Sequence, residues 1–193
     1  NVGIAFRFFF PEGGGYLHIT DEVTEFTLPE GTMAYFAPLA QAEHQKLPLR
    51  NWPGEADRPL TIELPNGLYG ALCEAQVVDY VRTKFKLHES KANTLACSMY
   101  GAVDEIAPYA THWRVVMVAE KPGALIENNY LLLNLNPPCE IDTPWWIKPG
   151  KVMREVTLST QGAKKLVDFA VKRNLQYIEF DAGWYGYEYE KAS

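Results

Sequence analysis

The first 140 or so positions alternate between short apolar stretches and tight turns. The turns are Pro11-Glu-Gly-Gly-Gly, Pro29-Glu-Gly, Pro53-Gly, Pro65-Asn-Gly and Lys121-Pro-Gly. The stretches between them are rich in aromatic and β-branched residues. This predicts strands over Val2–Phe10, Tyr16–Ile19, Glu25–Leu28, Met33–Phe36, Leu60–Leu64, Tyr69–Val77, Ala92–Met99, His112–Ala119 and Tyr130–Leu135. In the first of these Ile4, Phe6 and Phe8 share one face and Arg7 takes the other. Short strands at regular spacing with Gly/Pro punctuation imply an antiparallel sandwich.

The period then changes. Pro137-Pro138 cannot continue a central strand, and Pro144–Gly150 is a second break. Beyond it, Ser159-Thr160 can cap a helix whose apolar positions Ala163, Leu166, Val167, Ala170 and Val171 fall at helical spacing. Lys172 and Arg173 sit in its last turn, where they oppose the dipole, and Asn174 is the expected stop. Tyr177–Phe180 follows as a strand without clean alternation, as expected for one buried on both faces. A helix before a buried strand begins an α/β domain. The expected organisation is a β-sandwich over residues 1–150 and the opening of a second domain over 151–193.

Composition narrows the class. The chain is 47% hydrophobic and 22% charged, which is globular rather than disordered. A net charge of -6 argues against a nucleic-acid backbone as partner. No stretch approaches the roughly 20 apolar residues of a membrane span. The sequence opens without Met and already inside a strand, so its N-terminal portion is expected to lie upstream. Cys73, Cys97 and Cys139 are widely spaced and read as buried free thiols rather than a metal site. Aromatics make up 13%, which suits β-core packing and, at exposed positions, sugar stacking.

Candidate chemistry gathers at two places. At the end of the last strand stands Asp181-Ala-Gly-Trp184. An acid and an indole at the carboxyl end of a buried strand lie where a (β/α) barrel places active-site groups. Glu179 and Asp181 share one strand face, so they cannot flank a scissile glycosidic bond from opposite sides. Asp181 reads better as an acceptor for sugar hydroxyls, and Trp184 as a flat apolar platform; the plain alternative is a structural acid and a packing indole. Glu74 is an acid among small apolar neighbours inside a strand, and a buried carboxylate needs a partner. Arg114 is one candidate and a Ca²⁺ ion is the other. His18, His44, His88 and His112 show no ligand-like spacing. Gly13-Gly-Gly15 is a hairpin tip, since no Lys-Ser/Thr follows it.

Taken in order along the chain, these stretches resemble glycoside hydrolase family 97, the calcium-linked α-glucosidases and α-galactosidases. The resemblance is carried by Ile4-Ala-Phe-Arg-Phe-Phe-Phe-Pro11, Asp21-Glu-Val-Thr-Glu-Phe26, Pro59-Leu-Thr-Ile, Cys73-Glu-Ala75 with Tyr80, Trp113-Arg114, Asn134-Leu135, Trp146-Ile-Lys-Pro-Gly150 and Asp181-Ala-Gly-Trp-Tyr-Gly186. It implies the later part of an N-terminal, galactose-mutarotase-like β-super-sandwich, followed by the first elements of a catalytic (β/α)8 barrel. It implies that the sandwich packs on that barrel and gives one glutamate, Glu74, to an active-site Ca²⁺. It implies substrate contacts at Asp181 and Trp184, at the end of the first barrel strand. The catalytic acid and base are expected on later barrel strands, outside this chain. Two departures stand out. Thr111-His-Trp-Arg occurs where the family more often has Pro before Trp-Arg, and Trp145-Trp146 doubles an aromatic. Neither is expected to touch Glu74.

The leading expectation is therefore part of an exo-acting α-glycosidase that uses Ca²⁺ and acts on an oligosaccharide or other α-glycoside. By resemblance it is periplasmic or secreted, and the segment alone is expected to be inactive. The competing reading is a non-catalytic carbohydrate-binding β-sandwich.

Overall fold

A computed structural model describes residues 2–184. The chain divides into two compact units, Asn1–Pro138 and Cys139–Ser193.

The first unit is almost wholly antiparallel β-structure. Its main sheet has six strands in the order β1-β13-β8-β7-β5-β6. These are β1 (Gly3–Phe6), β5 (Met33–Phe36), β6 (Gln45–Pro48), β7 (Leu60–Glu63), β8 (Tyr69–Ala75) and β13 (Trp113–Ala119). A three-stranded sheet has the order β4-β10-β9, from β4 (Glu25–Thr27), β9 (Thr83–Leu87) and β10 (Thr94–Met99). Two ribbons complete the strands. One pairs β3 (Tyr16–Ile19) with β11 (Val103–Ile106), and the other β2 (Phe9–Phe10) with β12 (Tyr109–Ala110).

The alternation of side chains divides the main sheet between two cores. Leu72 of β8 and Val116 of β13 face the layer that also holds Leu60, Ile62, Phe36, Phe85 and Leu95. That layer lies between the two sheets. Ala71, Cys73, Ala75, Val115 and Met117 point the other way, onto Leu125, Leu131 and Leu132. Those leucines belong to two short helices, α1 (Pro122–Glu127) and α2 (Tyr130–Leu133). Sheet, sheet and helical layer thus share β8 and β13, which explains why β8 is built from small residues and is buried on both faces.

Several expectations need correction here. Tyr130–Leu135 is not a strand. Leu131, Leu132 and Leu135 fall on one face at helical spacing, and they pack together on the sheet. The run has no β-branched residue, and leucine favours helix. Lys121-Pro-Gly is not a turn but a helix start, with Pro122 in the first turn, where its missing N–H costs nothing. The three cysteines are free, but only Cys73 and Cys97 are buried; Cys139 is exposed.

The second unit is a parallel βαβ unit: β14 (Val152–Glu155), α3 (Thr160–Arg173) and β15 (Tyr177–Phe180). The expected helix signals hold. Ser159 accepts a hydrogen bond from the Gly162 N–H, and Asn174 ends the helix in the left-handed region at φ 53°. Tyr177–Phe180 was expected to be the first strand of the unit, but β14 precedes it. The sequence Val-Met-Arg-Glu mixes apolar and charged side chains, so its strand character becomes visible only once it pairs with β15. Gly162 has a specific reason to be glycine. A Cβ there would collide with Glu155 Oε1 and Thr157 Oγ1.

Candidate functional site

The layer between the two sheets ends in charge. On β8 the residue two beyond Leu72 is Glu74, and on β13 the residue two before Val116 is Arg114. They are direct cross-strand partners in the register. The β7–β8 register, Leu60 opposite Leu72, places Arg58 opposite Glu74 just outside β7. On the facing sheet Thr83 occupies the same end, two residues before the buried Phe85. A row of Arg58, Glu74 and Arg114 therefore crosses three adjacent strand lines, and it is roofed by Thr83.

The hydrogen bond and the ion-pair distances at Glu74 all involve Oε1. Thr83 Oγ1 donates to Oε1 at 2.6 Å. Arg58 Nη1 lies 3.1 Å from Oε1 and His112 Nε2 lies 2.7 Å from it. Neither of these last two contacts has the alignment of a straight hydrogen bond, so they act chiefly through charge and dipole. Oε2 takes no hydrogen bond from the described residues, and the side chain keeps 12% of its surface exposed. Burial pushes the carboxyl up, but His112, Arg58 and Thr83 outweigh it and hold Glu74 below the usual carboxylate range.

Arg114 was a candidate partner for Glu74. The structure gives it to Glu22 instead. Arg114 Nε donates to Glu22 Oε1 at 2.8 Å and its Nη2 donates to Oε2, a two-pronged pairing that Glu74 does not receive. The guanidinium also donates to Thr111 Oγ1 and to the His112 carbonyl oxygen. Tyr80 Oη donates to Glu22 Oε2 at 3.0 Å, and its ring sits 4.5 Å from the His112 ring. Arg58 takes the role expected of Arg114 towards Glu74. It also donates to Cys97 Sγ at 3.1 Å and stacks 4.0 Å over Phe85.

Burial pushes the Glu22 carboxyl up, and the hydrogen bonds and charge of Arg114 more than offset it, leaving the group at about 2. A folded pKa below the ordinary 4.5 contributes stability that is fully present above that value and is lost as the pH falls towards 2. The melting temperature of the chain should therefore drop across this acid window, and Glu22→Gln should flatten part of the slope. An acid slope identical in wild type and variant would count against it. Burial also pushes the Cys97 thiol up to about 12, so it is a packing group rather than a nucleophile.

Sequence reasoning missed Glu22, Arg58 and His112. The doublet at Thr111-His112 was expected not to touch Glu74, yet His112 is in direct contact with it. The signal was present. His112, Arg114 and Val116 share one phase of the period-two pattern, so all three face the layer between the sheets.

The other candidates sit at the carboxyl ends of β14 and β15. Asp181 pairs with Arg154 on the neighbouring strand, at 2.7 Å, with both side chains about half exposed. The Ala182 N–H donates to its other oxygen at 2.7 Å. Trp184 is 61% exposed. It lines a cavity of about 540 Å³ with Leu158, Ser159, Thr160, Ala163 and Phe180, and Asp181 is not in that lining. Tyr185 and Gly186, the rest of the motif, lie outside the described residues. Among the described residues no group of three or more acidic, histidine or cysteine side chains is arranged to hold a metal ion. No helix among them is long and apolar enough to cross a membrane.

The chain is thus a two-sheet antiparallel sandwich with a charged row at one end, followed in sequence by a parallel βαβ unit. The chain belongs to glycoside hydrolase family 97: the family model Glycosyl-hydrolase 97 N-terminal matches residues 1–138. A probable retaining α-galactosidase from Streptomyces bingchenggensis is 23% identical over 95% of this chain and 30% of its own length. A family 97 enzyme from Pseudoalteromonas sp. strain K8, solved in complex with acarbose, superposes with a TM-score of 0.81. It is 23% identical and covers 96% of this chain and 32% of that one. A β-arabinopyranosidase superposes at 0.70 with 18% identity, over 95% of this chain and 34% of that one. The chain thus spans about a third of the length of these relatives.

Proposed function

We propose that this chain is the sandwich-bearing part of a larger exo-acting α-glycosidase, secreted or periplasmic, and that Glu74 supplies one carboxylate oxygen to its calcium site. The observation that supports this reading is the one-sided holding of Glu74. Its Oε1 is tied inward by Thr83, Arg58 and His112, while Oε2 takes no hydrogen bond from the described residues. An ionised carboxylate with one fixed oxygen and one available oxygen suits a hard cation that takes six to eight oxygens. The fit is that of one ligand and not of a whole site, because the described residues hold no cluster for a metal. The remaining ligands come from the rest of the parent protein. Calcium bound there supplies positive charge that holds carboxylate or sugar oxygens in place.

The βαβ unit is the first repeat of the catalytic barrel. Asp181, braced by Arg154, accepts hydrogen bonds from sugar hydroxyls, and Trp184 offers its indole face to a pyranose ring. The α-galactosidase relative makes α-galactosides the first substrates to test. In the parent protein, hydrolysis of aryl α-galactosides and α-glucosides should fall on chelation and return with Ca²⁺. Glu74→Gln should weaken calcium binding at least tenfold and lower the rate. An unchanged calcium titration would remove Glu74 from the site, and glycan binding without hydrolysis would favour a non-catalytic module.

A further inference from the structure

We infer that His112 is a positioning residue for Glu74: its imidazole fixes which carboxylate oxygen turns inward and which is left to a ligand. His112 is 1% exposed, and its Nε2 stands 2.7 Å from Oε1. The contact is close but not aligned as a hydrogen bond, so the ring acts on Oε1 through its dipole and its packing.

Thr83 makes the one aligned hydrogen bond to Oε1. The Arg58 guanidinium is held chiefly from elsewhere, by the Phe85 ring and Cys97 Sγ. The His112 backbone, by contrast, is pinned on both sides. Its carbonyl oxygen accepts from Arg114 Nη1 at 2.8 Å, and the preceding Thr111 N–H donates to the Phe8 carbonyl at 3.0 Å. Its ring lies against Tyr80, whose hydroxyl is itself committed to Glu22. A path of direct contacts therefore runs from Glu22 through Arg114 and the 111–112 backbone to the imidazole and on to Glu74. Groups of this kind, which orient a ligand without touching the ion, commonly change metal affinity about 10–100-fold when removed.

The calcium readout of this inference rests on the role proposed above for Glu74; the structural readout does not. In the parent protein, His112→Leu should weaken calcium binding about tenfold, in line with such orienting contacts. His112→Gln, whose amide N–H reaches the place of Nε2, should recover most of the loss. The melting temperature, measured alongside, separates a general loss of fold from a local one. If the leucine variant does not fold, His112→Asn replaces it, because its shorter amide stops short of Oε1. The crystal structure of the variant then reads the carboxylate directly. A Glu74 side chain turned from its wild-type rotamer supports the inference, and one that stays in place overturns it, whatever the calcium titration gives. Wild-type calcium affinity in His112→Leu, when Glu74→Gln has lost it, also overturns it. Loss of effect in Glu74→Gln itself removes only the metal role.

Discussion

Replacing Arg114 by methionine should destabilise the sandwich by about 3–5 kcal/mol, the usual cost of breaking a buried ion pair from one side. For a domain of this size that is a fall in melting temperature on the order of 10 °C. Arg114 is fully buried and Glu22 is 5% exposed. Methionine fills much of the guanidinium's volume but answers none of its hydrogen bonds. Glu22, Thr111 Oγ1 and the His112 carbonyl oxygen would each lose a donor. Tyr80 Oη would still donate to Glu22.

The pH dependence gives the sharper test. In the wild type the Glu22 carboxyl sits at about 2, so acid removes stability. Without Arg114, burial should outweigh the remaining hydrogen bonds to Glu22 and raise its folded pKa above the unfolded one. A group so raised binds its proton more tightly when folded, and its contribution is then lost as the pH rises. Mild acid should therefore recover part of the stability of Arg114→Met, whereas the wild type loses its Glu22 contribution only below about pH 4.5. Glu22→Gln should cost less than Arg114→Met, because a neutral amide beside a buried guanidinium still accepts a hydrogen bond. Chemical denaturation of the three proteins from pH 7 down to about 2 measures all of this. Parallel pH profiles for wild type and Arg114→Met would show that Arg114 does not hold the Glu22 charge.

The same residues show how much of this was legible beforehand. Tyr16–Ile19 and Met33–Phe36 were visible as strands because turn residues bound them and their apolar side chains recur in phase. Thr83–Leu87 has Thr83 and Phe85 inward too, but Lys84 and Lys86 disguised it, although Lys84 is itself buried. Glu74 stood out as an acid in an apolar strand, a local feature that needs no knowledge of the fold. Its partners did not stand out. Glu22 and Arg114 are 92 positions apart, and what joins them is loop placement rather than sequence spacing. The choice of Arg58 over Arg114 at Glu74 depends on the register of three strands, which periodicity alone does not set. His112 had the right phase, but a polar residue just before a strand carries no sign of which carboxylate it will meet.

The segment 139–193, made as a separate peptide, should not fold. Its one parallel strand pair has four residues on each side, and its helix has 14. Isolated helices of that length are marginal in water, and a lone strand pair is no better. The decisive point is burial. Among the described residues of this unit only Glu155 and Ala170 are buried. Val152, Met153, Val156, Val167, Phe169, Val171, Tyr177 and Phe180 all keep more than a third of their surface exposed. A βαβ unit buries these faces against neighbouring strands and helices, and without them there is too little apolar burial to offset the entropy of ordering the chain. The peptide should give the far-UV circular dichroism of a coil, with no cooperative melt. Residues 1–138 hold two apolar clusters of their own, so that piece should melt cooperatively by itself. The whole 193-residue chain should accordingly self-associate through its second unit as concentration rises. A cooperative thermal transition in the 139–193 peptide, or a monodisperse monomer of the full chain by light scattering at high concentration, would contradict this.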